Sequence, residues 1–164
     1  MFQQIIDPNS WDLMILPPGQ KSVPVPYLAS SLSEHDARVS PDGHWVAFLS
    51  NALGGNQAFV DAYPKTGRLL RISTQAASSV RWRAGGRQLL VMNAEGTQLS
   101  TYDLQSAGSD LKIAATRTIE WPWKGRTLSW DTVSNSPRLL ALVIEAPTTA
   151  SLTVAAGWTK SLKR

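Results

Sequence analysis

The sequence predicts an all-β protein, because one phrase of strand, turn and strand occurs three times in its 164 residues. In the first copy, Ser40-Pro41-Asp42-Gly43 separates the strand residues 37–39 from the apolar run 44–50. The second copy has its turn at 83–86, about 43 positions later, and a third, more divergent copy has its turn at 134–137. This period is typical of four-stranded propeller blades. We therefore expect a partial β-propeller of about three four-stranded antiparallel blades.

The residues of the first turn each suit a tight connection between antiparallel strands. Pro41 sets φ for a turn corner, Asp42 can accept a local backbone N–H, and Gly43 adopts a positive φ without steric cost. Gly85 and Gly86 can do the same in the second copy. The nearly continuous apolar run 44–50 predicts a strand that is covered on both faces by neighbouring blades.

Further strands are predicted on either side of these turns. Residues 12–16 and 25–28 indicate two outer strands, so the chain is expected to begin in the middle of a blade. A short helix is considered at 158–163. The predicted single domain 1–164 comprises a half blade at 10–30, complete blades at 37–74 and 78–117, and a partial blade at 127–163.

The basic charge of the chain does not by itself indicate nucleic-acid binding. The net charge is +4 and the pI is about 9.7, yet the lysines and arginines are scattered along the sequence. Arg81 and Arg83 flank Trp82, an alternation that places charge on one face of a strand and the indole on the other. Solvated or carboxylate-paired arginines are favoured over a basic groove, and we expect no nucleic-acid partner.

The sequence also indicates what the protein lacks. No apolar run reaches the roughly 18 residues of a membrane span, and the N-terminus lacks signal-peptide features, so we expect no membrane partner and, as written, a cytoplasmic protein. Without cysteine there is no disulfide or thiolate site, and His35 and His44 fall in no zinc spacing. No Gly-x-Ser-x-Gly motif is present. We expect no cofactor, no metal and no catalytic residues.

Binding residues are predicted on one face of the propeller, where the loops between blades and those joining second to third strands open together. Arg38 and Arg81 occupy equivalent positions on innermost strands, so both are expected to point into the central channel and favour an anionic group there. The candidate binding residues are Glu34, His35, Asp36, Arg38, Asn51, Asn56, Arg81, Trp121 and Trp123.

The tryptophans fall into two groups. Trp121 and Trp123 flank a proline and offer stiff apolar surfaces suited to an interface or a sugar. The alternative is that one of these indoles covers the exposed end of the core. Trp45, Trp82 and Trp130 are interpreted as packing residues between blades.

The residues 37–51, followed by 56–60 and 71–74, closely resemble the TolB-like propeller repeat. The chain is most similar to the C-terminal propeller of bacterial receptor-type serine/threonine protein kinases, including the closing residues 152–163. The resemblance implies a non-catalytic ligand- or protein-binding domain. It also implies a location outside the cytoplasmic membrane, hence periplasmic if the family context applies and the chain is truncated.

Together these observations predict a non-enzymatic ligand- or protein-binding scaffold. The alternative is an enzyme, or a sugar- or anion-binding protein, that uses the mouth of the channel. About three blades leave an unpaired strand edge at each end, and each end offers what the other lacks. We therefore expect a homodimer that closes a six-bladed ring.

Overall fold

The computed structural model describes residues 2–7, 10–17, 19, 22–107, 110–123, 125–133, 136–145 and 149–155. Within these residues the chain is all-β, as predicted: its strands form four antiparallel sheets, and the only helical element is a 3₁₀ turn at Ala84–Gly86. The predicted helix at 158–163 lies outside the described residues.

Each sheet is a meander in which neighbouring strands follow one another in the chain. Sheet I contains β1 (Phe2–Asp7), β2 (Ser10–Ile15) and β3 (Val25–Leu28). Sheet II contains β4 (Glu34–Val39), β5 (Trp45–Ser50), β6 (Gln57–Ala62) and β7 (Leu70–Arg71). Sheet III contains β8 (Ala77–Arg83), β9 (Gln88–Asn93), β10 (Gln98–Ala107) and β11 (Asp110–Glu120). Sheet IV contains β12 (Arg126–Thr132), β13 (Leu139–Glu145) and β14 (Thr149–Ala155).

Strand β1 was not expected from the sequence. Its residues include Gln3, Gln4 and Asp7, which give no clear apolar alternation, and pairing with β2 in the register Phe2↔Met14 is what makes this segment a strand. Sheet I therefore has three strands where the sequence indicated two.

Sheet II is covered on both faces, which explains the apolar run 44–50. Val46 and Phe48 pack with Leu13 of sheet I. Ala47 and Leu49 point to the opposite face and pack against sheet III. Alternate residues of one strand thus contribute to two cores.

Sheet III is likewise packed on both sides. Trp82 belongs to the core shared with sheet II, whereas Leu90 and Met92 belong to the core shared with sheet IV. Trp130 of β12 is buried in this second core. Trp82 and Trp130 therefore pack between sheets, as their positions predicted.

The turn geometry agrees with the sequence. Gly43 has φ +76°, and its N–H donates to the Ser40 carbonyl at 2.9 Å. Gly85 and Gly86 have φ +65° and +91°. A Cβ on Gly86 would lie 3.0 Å from the Asp42 carboxylate, so the two predicted turns touch across sheets II and III.

Candidate functional site

Several loops of sheets II and III meet at one end of the molecule. Backbone hydrogen bonds join Ala77 N to Asn56 O at 2.7 Å and Trp121 N to Thr97 O at 2.6 Å. Ala77 and Trp121 lie where the chain enters sheets III and IV, and Asn56 and Thr97 lie in turns that join the second strand of a sheet to the third. The hydrogen bonds therefore hold each entering segment beside the turn of the preceding sheet. We call this end the loop face, defined by residues 29–33, 51–56, 72–76, 94–97 and 121–123.

A β-bulge in β4 directs Asp36 from sheet II towards sheet III. The register with β5 shifts between His35 and Arg38, and Asp36 has φ 50°, a left-handed conformation that Asp tolerates better than most residues. Its carboxylate accepts hydrogen bonds from Val80 N at 2.8 Å and from Arg81 Nη1 at 3.0 Å. The bulge therefore ties the first strands of two sheets together.

Arg81 extends this connection to sheet IV. Its side chain is 11% exposed, its Nε donates to the Trp130 carbonyl at 3.2 Å, and its guanidinium carbon lies 5.3 Å from the centroid of the Trp130 ring. Arg38 Nη2 contacts Asp36 Oδ1 at 2.9 Å. The two arginines expected in one place are indeed close to the same group, but that group is Asp36, a partner that the sequence reasoning did not give them.

A cavity of about 350 Å³ opens where the first strands of sheets II, III and IV come together. His35, Asp36, Arg81 and Trp130 line it. Its hydroxyl groups belong to Ser78, Ser79, Thr127 and Ser129. The lining of the cavity therefore combines an ion pair, several hydroxyl-bearing residues and an aromatic residue.

Indole hydrogen bonds fix the strands around this cavity. Trp130 Nε1 donates to Ser79 Oγ at 2.7 Å, and Trp82 Nε1 donates to the Arg38 carbonyl at 2.8 Å. Thr132 Oγ1 donates to the Trp82 carbonyl at 2.9 Å. Because β4, β8 and β12 are cross-linked in this way, the cavity is held open by the fold itself.

The two tryptophans of the 121–123 segment are placed differently from the expectation that both present a binding surface. Trp121 is buried, donates through Nε1 to Thr127 Oγ1 at 2.8 Å, and lies 4.8 Å from the Trp123 ring, centroid to centroid. Trp123 is half-buried against the same core. Trp121 therefore belongs to the core, in line with the alternative that one indole covers its end.

Three other candidates lie away from the cavity. Asn51 Oδ1 accepts a hydrogen bond from Ser33 N at 2.9 Å, and the Asn56 carbonyl accepts one from Ala77 N, so both stabilise the loop face. Glu34 is buried on the face of sheet II that packs against sheet I. None of the three lines the cavity, and for Glu34 the cause is the bulge after His35, which separates it from Asp36.

The sequence reasoning missed the hydroxyl groups and Trp130 as cavity residues. Ser129 immediately precedes Trp130, and Ser79 lies three residues before Trp82, in the corresponding strands of two sheets. A serine near a strand tryptophan is a weak signal. Only the meeting of three sheets turns it into a site.

Two properties of the described residues complete the picture. They contain no group of three or more His, Cys, Asp or Glu side chains arranged to hold a metal ion. They also contain no helix of the length and apolar character that a membrane span requires. Comparisons of the chain with known protein families, curated proteins and solved structures give no match.

Proposed function

We propose that the chain is a non-enzymatic binding module whose ligand occupies the cavity between sheets II, III and IV. The observation that carries this proposal is the state of Arg81. Its Nε and Nη1 are engaged by Trp130 and Asp36, while Nη2 makes no hydrogen bond within the described part of the chain. A guanidinium that is already fixed offers its remaining donors at little cost in side-chain entropy.

The lining favours a small polar ligand that carries a carboxylate. Arg81 supplies its remaining Nη2 donor to a carboxylate, and Ser78 and Ser129 add hydroxyl groups. Asp36 can accept from a ligand hydroxyl. A volume of about 350 Å³ accommodates a molecule of metabolite size.

The scaffold of this module is proposed to be a partial β-propeller of the TolB-like type. Four consecutive antiparallel meanders support the proposal, since they pack face to face in chain order. The first strands β4, β8 and β12 lie side by side, as innermost blade strands do around a channel. Under this proposal the cavity is one side of the channel mouth.

An enzyme at the same cavity is the weaker alternative. Within the described residues, the His35 imidazole makes no hydrogen bond to Asp36 or to a cavity hydroxyl, so no activated nucleophile is assembled there. No specific observation favours catalysis over binding.

The ligand proposal is tested with a cavity-filling variant. Ser129→Phe places an aromatic ring at an exposed position of the lining, and Ser106→Phe makes the same change at an exposed position on β10, away from the cavity. Acetate, citrate, glucuronate and glucose are titrated while backbone amide shifts are followed by NMR. We expect a carboxylate probe to shift Ser79 and Arg81 in wild type and Ser106→Phe, and to lose at least tenfold in affinity in Ser129→Phe. Equal affinities in all three proteins, or no shift at these residues, would reject the site.

A second copy of the chain is proposed as the partner that covers sheet IV. Leu139, Ala141 and Val143 are buried against sheet III, whereas Leu140 and Ile144 on the opposite face are exposed. Each copy has four sheets in its described residues, so two copies have eight. If each sheet is one blade, a closed ring would have eight blades instead of the predicted six.

Light scattering tests this partner. We expect a mass about twice 17.9 kDa for wild type, and a monomer for Leu140→Lys. Leu53→Lys, which adds the same charge at an exposed turn residue, should stay dimeric. A wild-type monomer at micromolar concentration would reject ring closure by a second copy while leaving the cavity untouched.

A further inference from the structure

We propose that the junction between sheets I and II binds a calcium ion through side-chain oxygens of Asp12, Glu34 and Gln57. This site lies on the face of sheet II opposite the cavity. It does not depend on the proposed binding function.

The three side chains share an unusual state. Asp12 is 7% exposed, Glu34 is 4% exposed and Gln57 is 8% exposed. Each keeps one buried oxygen without a hydrogen-bond partner in the described part of the chain: Asp12 Oδ1, Glu34 Oε2 and Gln57 Oε1. Buried polar atoms are normally satisfied, so three such oxygens at one junction call for a missing partner.

The strand register places Glu34 and Gln57 on one face of sheet II, next to the sheet that carries Asp12. Glu34 pairs with Ser50, and Ser50 pairs with Gln57, so Glu34 and Gln57 flank Ser50 on one face of sheet II. This face packs against sheet I, where Asp12 lies on β2. Strand β2, which carries Asp12, packs against β4, which carries Glu34.

The charge at this junction is not compensated by an ion pair. Within the described residues no arginine, lysine or histidine forms a salt bridge with Asp12 or Glu34. Burial is the largest cause that raises the pKa of Glu34. The hydrogen bond from Ser30 lowers the pKa, Asp12 raises it further, and the charge of Lys65 lowers it slightly. Two buried carboxylates with so little compensation are costly unless a cation neutralises them.

Calcium is the cation that fits this donor set. All three donors are hard oxygens, two from carboxylates and one from an amide, and Ca²⁺ accepts six to eight oxygen ligands in flexible geometry. Ser30 and Ser50 supply hydroxyl oxygens nearby, and water can complete the shell. The absence of nitrogen and sulfur donors disfavours zinc and copper.

The sequence gave no sign of this site, and we had expected no metal. Asp12, Glu34 and Gln57 stand far apart in the chain and match no metal-binding spacing.

The test compares calcium binding by wild type, Glu34→Gln and Glu95→Gln. Glu95 is an exposed turn residue, so its variant carries the same chemical change outside the junction. Protein freed of metal with a chelator is titrated with Ca²⁺ by calorimetry, and thermal unfolding is recorded at each calcium concentration. We expect Tm to rise with Ca²⁺ in wild type and Glu95→Gln, and the affinity to fall at least tenfold in Glu34→Gln.

The variant has a signature that separates loss of binding from misfolding. Without calcium, Glu34→Gln removes one of two repelling buried charges, so its Tm should equal or exceed that of calcium-free wild type. Asp12→Asn should behave in the same way and serves if Glu34→Gln fails to fold. Mg²⁺ and Na⁺ at matched ionic strength are expected to give less than a tenth of the calcium affinity.

Three results would overturn the proposal. Wild type that shows no calcium-dependent rise in Tm has no such site. An equal rise in wild type, Glu34→Gln and Asp12→Asn places any bound calcium elsewhere. A rise that Na⁺ reproduces at the same ionic strength is charge screening.

Discussion

The two faces of sheet II differ in how the charge of a carboxylate from β4 is compensated. Both junctions bury a carboxylate from the beginning of β4, and the two residues concerned, Glu34 and Asp36, are only two positions apart. Towards sheet III, Asp36 meets two arginines and a backbone N–H. Towards sheet I, Glu34 accepts a hydrogen bond from one serine hydroxyl, and the charge of Asp12 raises the pKa of its carboxyl further.

The bulge in β4 is the cause of this difference. Residues i and i+2 of a regular strand point to the same face, so Glu34 and Asp36 would both face sheet I without it. The shift of register and the left-handed conformation of Asp36 direct its carboxylate to the other face. One inserted residue thus separates a neutralised carboxylate from an uncompensated one.

Removing the Asp36 charge should produce the largest effect and break the neutralised junction. Asn tolerates the left-handed conformation, so Asp36→Asn deletes the charge and leaves the nearly buried Arg81 with only the exposed Asp131 as a carboxylate partner. We expect the free energy of unfolding, measured by urea denaturation, to fall by roughly 2–3 kcal/mol, since loss of one partner of a buried pair is strongly destabilising.

The matched control is Asp131→Asn, because Asp131 lies 3.6 Å from Arg81 Nε but has an exposed side chain. This change should cost less than about 0.5 kcal/mol. If Asp36→Asn costs no more than Asp131→Asn, the inter-sheet ion pair does not stabilise the fold.

At the junction between sheets I and II, the contribution of Glu34 to stability should depend on pH. The sign of this dependence should be opposite to that of a carboxylate in an ion pair. Burial raises the folded-state pKa of Glu34 above its unfolded value. Its protonated form therefore stabilises the fold at pH below the unfolded pKa, and this contribution is lost as the pH rises through the folded pKa.

In calcium-free buffer we therefore expect wild-type stability to fall as the pH rises from about 4.3, the ordinary pKa of Glu, towards neutral. Glu34→Gln should remove this slope, whereas Glu95→Gln should keep it. Urea midpoints measured across this range test the sign. A wild-type stability that increases through this window, with the same increase in Glu34→Gln, would contradict an uncompensated Glu34.

The smallest effect on stability is expected from breaking an exposed ion pair between sheets II and III. Arg68 and Asp110 join sheets II and III at 3.1 Å, with both side chains exposed. Arg68→Gln should lower the free energy of unfolding by less than about 0.5 kcal/mol, and less again at high salt. A loss comparable to that of Asp36→Asn would mean that burial is not what distinguishes the two pairs.

Much of the fold follows from the sequence because its signals are local. The turn at 40–43 depends on Gly43 and its neighbours alone, and the structure has the predicted positive φ. The apolar run 44–50 predicted a strand buried on both faces, which depends only on which side chains avoid water. Strand β1 has no such local signal and exists through its pairing with β2.

The candidate site was predicted only in part, for the same reason. The sequence placed His35, Asp36 and Arg81 among the binding residues, but it did not show that Asp36 forms ion pairs with both arginines or that Trp121 is buried. Both facts depend on which strands of different sheets come into contact.

Hydrophobic alternation and backbone preferences act over a few residues, so the sequence alone predicted the strands other than β1, the glycine turns and the two-sided burial of the central sheet. Which carboxylate is paired depends on contacts between the sheets. A bulge of one residue in β4 sends Asp36 to Arg81 and leaves Glu34 with Asp12, and a register shift depends on contacts across the sheets that no short stretch of sequence contains.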